Sequence, residues 1–425
     1  MSDRDAAPTE DAVGFRRILR YFLGLGTWGF GGPIATVGYM QRDLVERRGW
    51  LDEREFLNGV ALGQTMPGPL AAQVVMWVGY LRAGALGALA TAGAFVLPSF
   101  LVVLGVAALY VHSAGLSWVR SLFLGVAPGV MGIIAVAAVK LARLTNRRDW
   151  RLWAISAITL GVTAITGAEI AWLFLGAGLL IMLWDAPPRL RRPRRAATAL
   201  APLAWLGHGR GAPLLARLRG GLLALGTGGL TGGAAAGTFV ALALFFLYAG
   251  AFIFGSGLAV VPFLHEGVVA QHHWLTERQF LDAVAIGLIT PGPVVITATF
   301  IGYLVGGMAG AGIATAAIFL PIYLGVVVPG RWFVRHRDNP RLQGFVKGAT
   351  AAAAGAIGGA TIVLTKGALL DVDLLGPRIA VWGHHELVVA AAAIALLALV
   401  AVARFRITEP LVVLAAGVGG LLLAR

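Results

Sequence analysis

Two tripeptides, Pro67-Gly68-Pro69 and Pro291-Gly292-Pro293, interrupt apolar stretches in which a helix would otherwise run on. Proline lacks a backbone donor and clashes with the preceding turn, so each tripeptide ends one helix and lets another start. A helix that restarts there presents unpaired N–H groups and the positive end of its dipole, and proline suits its first turn. Helix ends of this kind bind oxyanions. The expected backbone donors are Leu70, Ala71 and Ala72 after the first break and Val294, Val295 and Ile296 after the second. Gln64, Thr65, Gln73, Thr290, Thr297 and Thr299 are the nearby side-chain donors. The plainer alternative is that the breaks only kink membrane helices for packing.

The breaks belong to a repeat. Residues 50–69, WLDEREFLNGVALGQTMPGP, return as residues 274–293, WLTERQFLDAVAIGLITPGP, with twelve of twenty positions identical. At the same offset Phe15, Phe22, Leu23, Gly26, Phe30 and Gly31 match Phe239, Phe246, Leu247, Gly250, Phe254 and Gly255. Past the tripeptide the register slips by one, so that Gly79-Tyr80 meets Gly302-Tyr303 and Pro98 meets Pro321. Gly125 and Gly129 then match Gly344 and Gly348, small-xxx-small pairs of the sort that let membrane helices approach closely. Matching broken helices in two halves point to a transporter's binding site.

Composition sets the solvent. The 425 residues are 58% hydrophobic and 13% charged, with a mean hydropathy of +0.81, which indicates a polytopic helical membrane protein. Continuous apolar runs, rather than short alternating ones, exclude a β-barrel. Of the net charge of +14, eight arginines lie in residues 186–219 with no acid among them. Such a run marks a cytoplasmic linker and suits anionic lipid headgroups, whereas nucleic-acid binding would need a basic module with interleaved aromatics. Cysteine is absent, so disulfides, thiolate metal sites and cysteine nucleophiles drop out. The acidic start MSDRDAAPTEDA is unlike a cleaved signal peptide. The expected division is a first repeat over 1–185, a linker over 186–220 and a second repeat over 221–425.

Helices are predicted over 15–40, 55–81, 84–111, 118–142, 151–166 and 168–184, then over a weak, Gly-rich 221–237 and over 238–264, 279–304, 307–330, 342–365, 384–403 and 407–424. About thirteen transmembrane helices in an all-α fold result, a count that changes if the Pro-Gly-Pro segments are re-entrant and do not cross. In the first half the basic loop follows the fourth helix (Lys140, Arg143, Arg147, Arg148 and Arg151); in the second it precedes the corresponding helix (Arg331, Arg335, Arg337 and Arg341). Positive charge marks cytoplasmic loops, so the halves read as an inverted repeat. The four arginines of the 41–55 loop, on the outside in this topology, count against it.

Other residues carry competing roles. Glu53-Arg54 and Glu277-Arg278 recur beside Trp50 and Trp274, as gates or as interfacial ion pairs. Asn58 and Asp282 share one repeat position, and an acid there is the best candidate for proton coupling unless it only favours a helix N-terminus. Lys347 would suit a dianion, or else snorkels towards the basic loop. His265-Glu266 and His384-His385-Glu386 lack metal-ligand spacing and read as loop residues, so neither metal nor cofactor is expected. Gly24-x-Gly26-x-x-Gly29 follows no strand and reads as helix packing rather than a nucleotide loop.

Taken together, Phe30-Gly31-Gly32-Pro33, Trp50 to Phe56, Gly63-Gln64 and the two Pro-Gly-Pro breaks resemble the chromate ion transporter family in its long, two-domain form. The second half carries Phe254-Gly255, Trp274 to Phe280 and Gly287, and departs from the first at Ser256, Gly257 and Leu288. The resemblance adds Phe30, Gly31, Gly32, Gly255 and Ser256 to the substrate-binding set. It implies a multi-pass protein of the bacterial inner membrane that exports chromate, a sulfate-like tetrahedral dianion, and is associated with chromate resistance. Export is downhill electrically, since each charge is worth about 2.3 kcal/mol per 100 mV. The alternatives are uptake or exchange of sulfate or another oxyanion and, from another class, a membrane-embedded enzyme, for which no nucleophile-base pair is found. The residues do not fix the oligomeric state, a homodimer included.

Overall fold

The structure, a computed structural model, describes residues 14–29, 32–113, 117–167, 171–187, 233–253, 257, 260–336, 338–370, 378–382, 385–405 and 407–424. Its first half contains α1 (Phe15–Trp28), α2 (Gly32–Met40) with a π-helical extension (Gln41–Arg47), α3 (Glu53–Thr65), α4 (Leu70–Ser113), α5 (Ser117–Asn146), α6 (Trp150–Thr166) and α7 (Ala171–Asp185). The second contains α8 (Gly233–Ala251), α9 (Val260–His265) with its own π-helical extension (Glu266–Gln271), α10 (Glu277–Ile289), α11 (Thr297–Val327), α12 (Gly330–His336), α13 (Pro340–Leu369), α14 (Val389–Arg404) and α15 (Glu409–Leu423). An antiparallel pair, β1 (Arg378–Trp382) and β2 (His385–Val388), stands between α13 and α14. That pair corrects the all-helical expectation locally and takes up the start of the helix predicted over 384–403. Most of the weak 221–237 segment lies outside the described residues, and its last five residues belong to α8.

Straight, the 44 residues of α4 would span about 66 Å, twice a bilayer core of about 30 Å. Instead the helix folds back at Ala83-Gly84, where Gly84 takes φ +60°. Thr91 Oγ1 lies 3.0 Å from the Val75 carbonyl oxygen, and the backbones of Gly79 and Gly87 touch. The limbs 70–82 and 85–113 are therefore antiparallel. α11 repeats this turn at Gly306-Gly307, with Gly307 also at φ +60°; Thr299 and Thr315 hydroxyls lie 2.7 Å apart and the Gly302 and Gly310 backbones meet. These folds fall at the helix boundaries predicted near 82 and 305.

Ahead of each fold stands a second reversal, at Pro-Gly-Pro. Trp77 Nε1 donates to the Glu55 carbonyl oxygen at 2.9 Å, Gly59 lies under the same indole, and Gly63 sits against Leu70 and Gln73. As α3 advances its partner retreats, so α3 and the short limb of α4 form a helical hairpin with Pro-Gly-Pro at its tip. α3 has 13 residues, about 20 Å, too short to cross. α10, also 13 residues long, leads into the second hairpin, which returns through residues 297–305 of α11. The single broken helices expected over 55–81 and 279–304 are thus hairpins.

The halves interlock. Gly125 lies against Ala416 and Gly420 of α15, Gly348 against Ala177 and Gly178 of α7, and Gly355 against Ser156 of α6. Each half's last two helices pack on the other half's equivalent of α5, through the predicted small-residue pairs. An added Cβ at Gly26 would overlap the Phe95 carbonyl, and one at Gly250 would overlap that of Ile318, the matching contact. Leu86, Leu109, Ile158, Ile165 and Leu422 stay exposed, as expected of faces that meet lipid rather than water. Among the described residues four helices are long and apolar enough to cross a membrane, α4 in its folded form being one.

At the α5–α6 junction Asp149 caps α6 by accepting from the Arg151 N–H at 3.0 Å. The Arg151 guanidinium pairs with Asp149 at 2.7 Å and with Asp185 at the end of α7 at 2.9 Å. Hydrogen bonding from Arg151 holds Asp149 below the usual carboxylate range.

Candidate functional site at the hairpin tips

Each tip is built around a glycine that no other residue replaces without strain, Gly68 at φ +138° and Gly292 at φ +105°. At the first tip, Gln73 Nε2 reaches back to donate to the carbonyl oxygens of Met66 at 3.2 Å and Pro67 at 2.8 Å. Gly68 N–H donates to the Ile253 carbonyl oxygen at 2.6 Å, and Gly68 lies against Ile322. At the second tip Ser99 Oγ donates to the Pro291 carbonyl oxygen at 2.6 Å. Ser99 follows Pro98 and Ile322 follows Pro321, one position past matching prolines. Each tip therefore touches the long helix of the other half at the same repeat position. Gly257, which ends the second FGSG segment, lies beside Val294 at the second tip.

The donors differ between the tips. α4 starts at Leu70 directly after Pro69, so the N–H groups of Leu70, Ala71 and Ala72 have no carbonyl one turn back in their own helix. After Pro293 the chain makes a 3-10 turn over Val294–Ile296, and Ile296 N–H donates to the Pro293 carbonyl oxygen at 2.9 Å. The second break thus presents fewer donors than expected. Gln64 is exposed, whereas Leu288 at the matching position is buried.

The threonines do not act as the spacing suggested. Thr65 donates to Ala61 at 2.8 Å, Thr290 to Ile286 at 2.7 Å and Thr297 to Val294 at 2.8 Å, each spending its hydroxyl proton on a nearby carbonyl. Thr299 is engaged with Thr315. Gln73, expected to face the ligand, secures the first tip instead, and its Oε1 is buried without a partner among the described residues. Phe30, Gly31, Gly255 and Ser256 lie outside the described residues, and Gly32 opens α2.

Away from the tips, Glu53 and Arg54 are exposed at the start of α3, which Asp52 caps by accepting from Arg54 N–H at 2.8 Å. Arg82 donates to the Trp50 carbonyl oxygen and Arg48 stacks over the Trp50 ring at 4.6 Å. Glu277 and Arg278 open α10, where Thr276 and Gln279 form a capping box and Glu277 pairs with His265 at 2.8 Å. His265-Glu266 stands where α9 passes into its π-helical extension and His385-Glu386 opens β2, so neither pair is in a loop; His384 lies outside the described residues. No group of three or more metal-ligating side chains occurs among the described residues. Lys347 is exposed on α13.

Asn58 and Asp282 are both buried, Asp282 at 1% exposure, and Asp282 lies beyond the first turn of α10. Tyr110 Oη, from the long limb of α4, donates to Asp282 Oδ2 at 2.8 Å. Sequence inspection missed both Ser99 and Tyr110. Ser99 carried a signal, since it follows one of two prolines at matching positions; Tyr110 carried none.

A family model for chromate transporters matches residues 16–182 and 240–421, which include both hairpins. The chain belongs to the chromate transporter family. It is 44% identical over 411 residues to a chromate transport protein of Cupriavidus metallidurans, covering 96% of this chain and 92% of that one. A probable chromate transport protein of Synechococcus elongatus is 42% identical over 375 residues, 88% of this chain and 90% of the relative. An uncharacterized transporter of Methanocaldococcus jannaschii is 31% identical over 313 residues, 72% and 73% of the two chains. No solved structure matches. These relatives are transport proteins by name, which sets this multi-pass membrane protein among transporters and not among membrane-embedded enzymes.

Proposed function

We propose that the protein is a secondary transporter that exports chromate across the bacterial inner membrane, with its anion site between the two hairpin tips. The observation that carries this is the reciprocal contact of each tip with the other half's long helix, Ser99 on Pro291 and Ile322 on Gly68. Along α4, Gly87 and Thr91 lie against the limb of the first hairpin, Ser99 meets the tip of the second, and Tyr110 meets Asp282 partway to its base. That order supports hairpins that enter from opposite faces, as an inverted repeat requires, and favours alternating access at one shared midplane site.

The unpaired N–H groups of Leu70, Ala71 and Ala72 and the dipole of the limb they open supply the anion-binding charge, and exposed Gln64 adds a side-chain amide. The proposed substrate-binding set also takes in Phe30, Gly31, Gly32, Gly255 and Ser256, on the family resemblance alone. The first tip contributes more of the specific contacts than the second. Glu53-Arg54 and Glu277-Arg278 act as rims of the two hairpins, and residues 186–220 form a cytoplasmic linker between repeats.

Charge gives the direction. A dianion leaving a cell that is negative inside gains about 4.6 kcal/mol per 100 mV, so export needs no nucleotide. Inverted and right-side-out vesicles with an imposed potential, assayed for chromate flux, test this. Accumulation driven in inverted vesicles by potential alone is expected; its absence overturns export, and accumulation of sulfate in right-side-out vesicles would favour uptake.

A further inference from the structure

Among the described residues Asp282 is the only ionisable side chain that is buried; every other buried polar group is an amide or a hydroxyl. Its Oδ2 accepts from Tyr110 at 2.8 Å, while its Oδ1 has no hydrogen-bond partner. A carboxylate with one bare oxygen in an apolar interior is strongly disfavoured, and the neutral acid escapes most of that cost. Tyr110 stands on the same long limb that meets the second tip through Ser99 and Pro291. Tyr110 stands eleven positions past Ser99, about 16 Å of helix, so one face of the limb grips the second hairpin at its tip and partway along α10.

At the matching position the first hairpin carries Asn58, and the residue matching Tyr110 is Phe333, at 1% exposure, so neither side of that pair is an acid. Two ionisable groups face the Asp282 carboxyl: Tyr110, and Arg278 one turn earlier on α10. On the other elements against α10, His265 is paired with Glu277 and Glu266 with Gln271, Tyr303 and Glu409 are half-buried, and Lys140 and Lys347 are exposed.

We propose that Asp282 is a proton-binding site that couples the proton gradient to transport, loading a proton when the second hairpin docks on the long limb of α4 and releasing it when the two part. Docking buries the acid and favours its neutral form. Separation lets water reach the carboxyl, which ionises and resists re-docking until a proton returns. The docked contact also shapes the second tip, so proton and anion act on one movement. Only one hairpin carries the switch, and one proton moves per cycle. This inference rests on the transporter reading above, and extends it by assigning the coupling ion and its residue.

Purified protein in liposomes, with the potential clamped by potassium and valinomycin, is assayed for chromate flux and, with an entrapped pH dye, for proton movement. Wild type is expected to move protons in fixed ratio to chromate, Asp282→Asn to lose the proton signal, and Tyr110→Phe to move the pH of half-maximal flux upward by about one unit, since a donor that favours the ionised acid is gone. If Asp282→Asn fails to transport altogether, the Tyr110→Phe profile decides. Chromate flux in wild type without protons, an unshifted Tyr110→Phe profile, or flux that requires sodium in place of choline overturns the proposal. The first of these leaves potential-driven export standing.

Discussion

The second tip offers a sharp perturbation in Gly292→Ala. Gly292 has φ +105°, outside the range that alanine adopts readily, and an added Cβ would overlap Ser99 Oγ. The backbone strain costs about 1–3 kcal/mol. To make room Ser99 must turn away and give up its 2.6 Å bond to the Pro291 carbonyl oxygen, a further loss of about 1 kcal/mol. A total of about 2–4 kcal/mol corresponds to a roughly 30- to 1,000-fold shift against the docked tip. Chromate flux in liposomes should fall steeply, while thermal unfolding in detergent drops by a few degrees. Ser99→Ala alone should cost about 1 kcal/mol. The double variant should cost less than the sum, because both changes remove one hydrogen bond and the smaller residue relieves the overlap. Strict additivity, or wild-type flux in Gly292→Ala, would refute the close tip contact.

Other consequences follow from the same packing. Gly348→Ala sets a methyl group against the Ala177 carbonyl and should destabilise by about 1–3 kcal/mol as an overpacked interface, whereas Gly161→Ala, with nothing within 4 Å of the new Cβ and a better helix former inside α6, should hold or slightly raise the unfolding temperature. Gln73→Leu leaves the Met66 and Pro67 carbonyls without their donor and should cost about 1–3 kcal/mol, seen as lower flux and a lower unfolding temperature in detergent. Asp149→Ala removes the α6 cap, worth about 1 kcal/mol. Because Arg151 depresses the Asp149 pKa, that stability is present above the unfolded carboxylate pKa of about 3.9 and is lost as pH falls below it, so acid titration of wild type should converge on the variant only there.

Much of this architecture was visible in the residues because it depends on local chemistry. The prolines at 67, 69, 291 and 293 remove donors wherever they stand, and the helix boundaries read at 81/84 and 304/307 fall on the fold-backs at Gly84 and Gly307. The small-residue pairs at Gly125, Gly129, Gly344 and Gly348 were legible as close contacts. Which helices they touch was not, because exchange between halves depends on contacts far apart in sequence. Nor could spacing show that α3 and α10 stop short of crossing, since a broken spanning helix and a hairpin share one pattern. The threonines near the tips were misjudged for a physical reason: a helical hydroxyl can satisfy itself on a carbonyl about a turn back, which spacing alone does not show. Tyr110 was unreadable, as its partner Asp282 is 172 residues away.

The central claim, that two hairpins enter from opposite faces to meet at one site, can be tested directly because the chain has no cysteine. Glu46 and Ala270 are exposed and occupy matching positions in the two π-helical extensions before the hairpin bases. Single cysteines at Glu46→Cys and Ala270→Cys, probed with a membrane-impermeant maleimide in right-side-out and inverted vesicles, give the answer. Labelling of the two on opposite faces is predicted, and labelling of both from the same face would contradict the shared site.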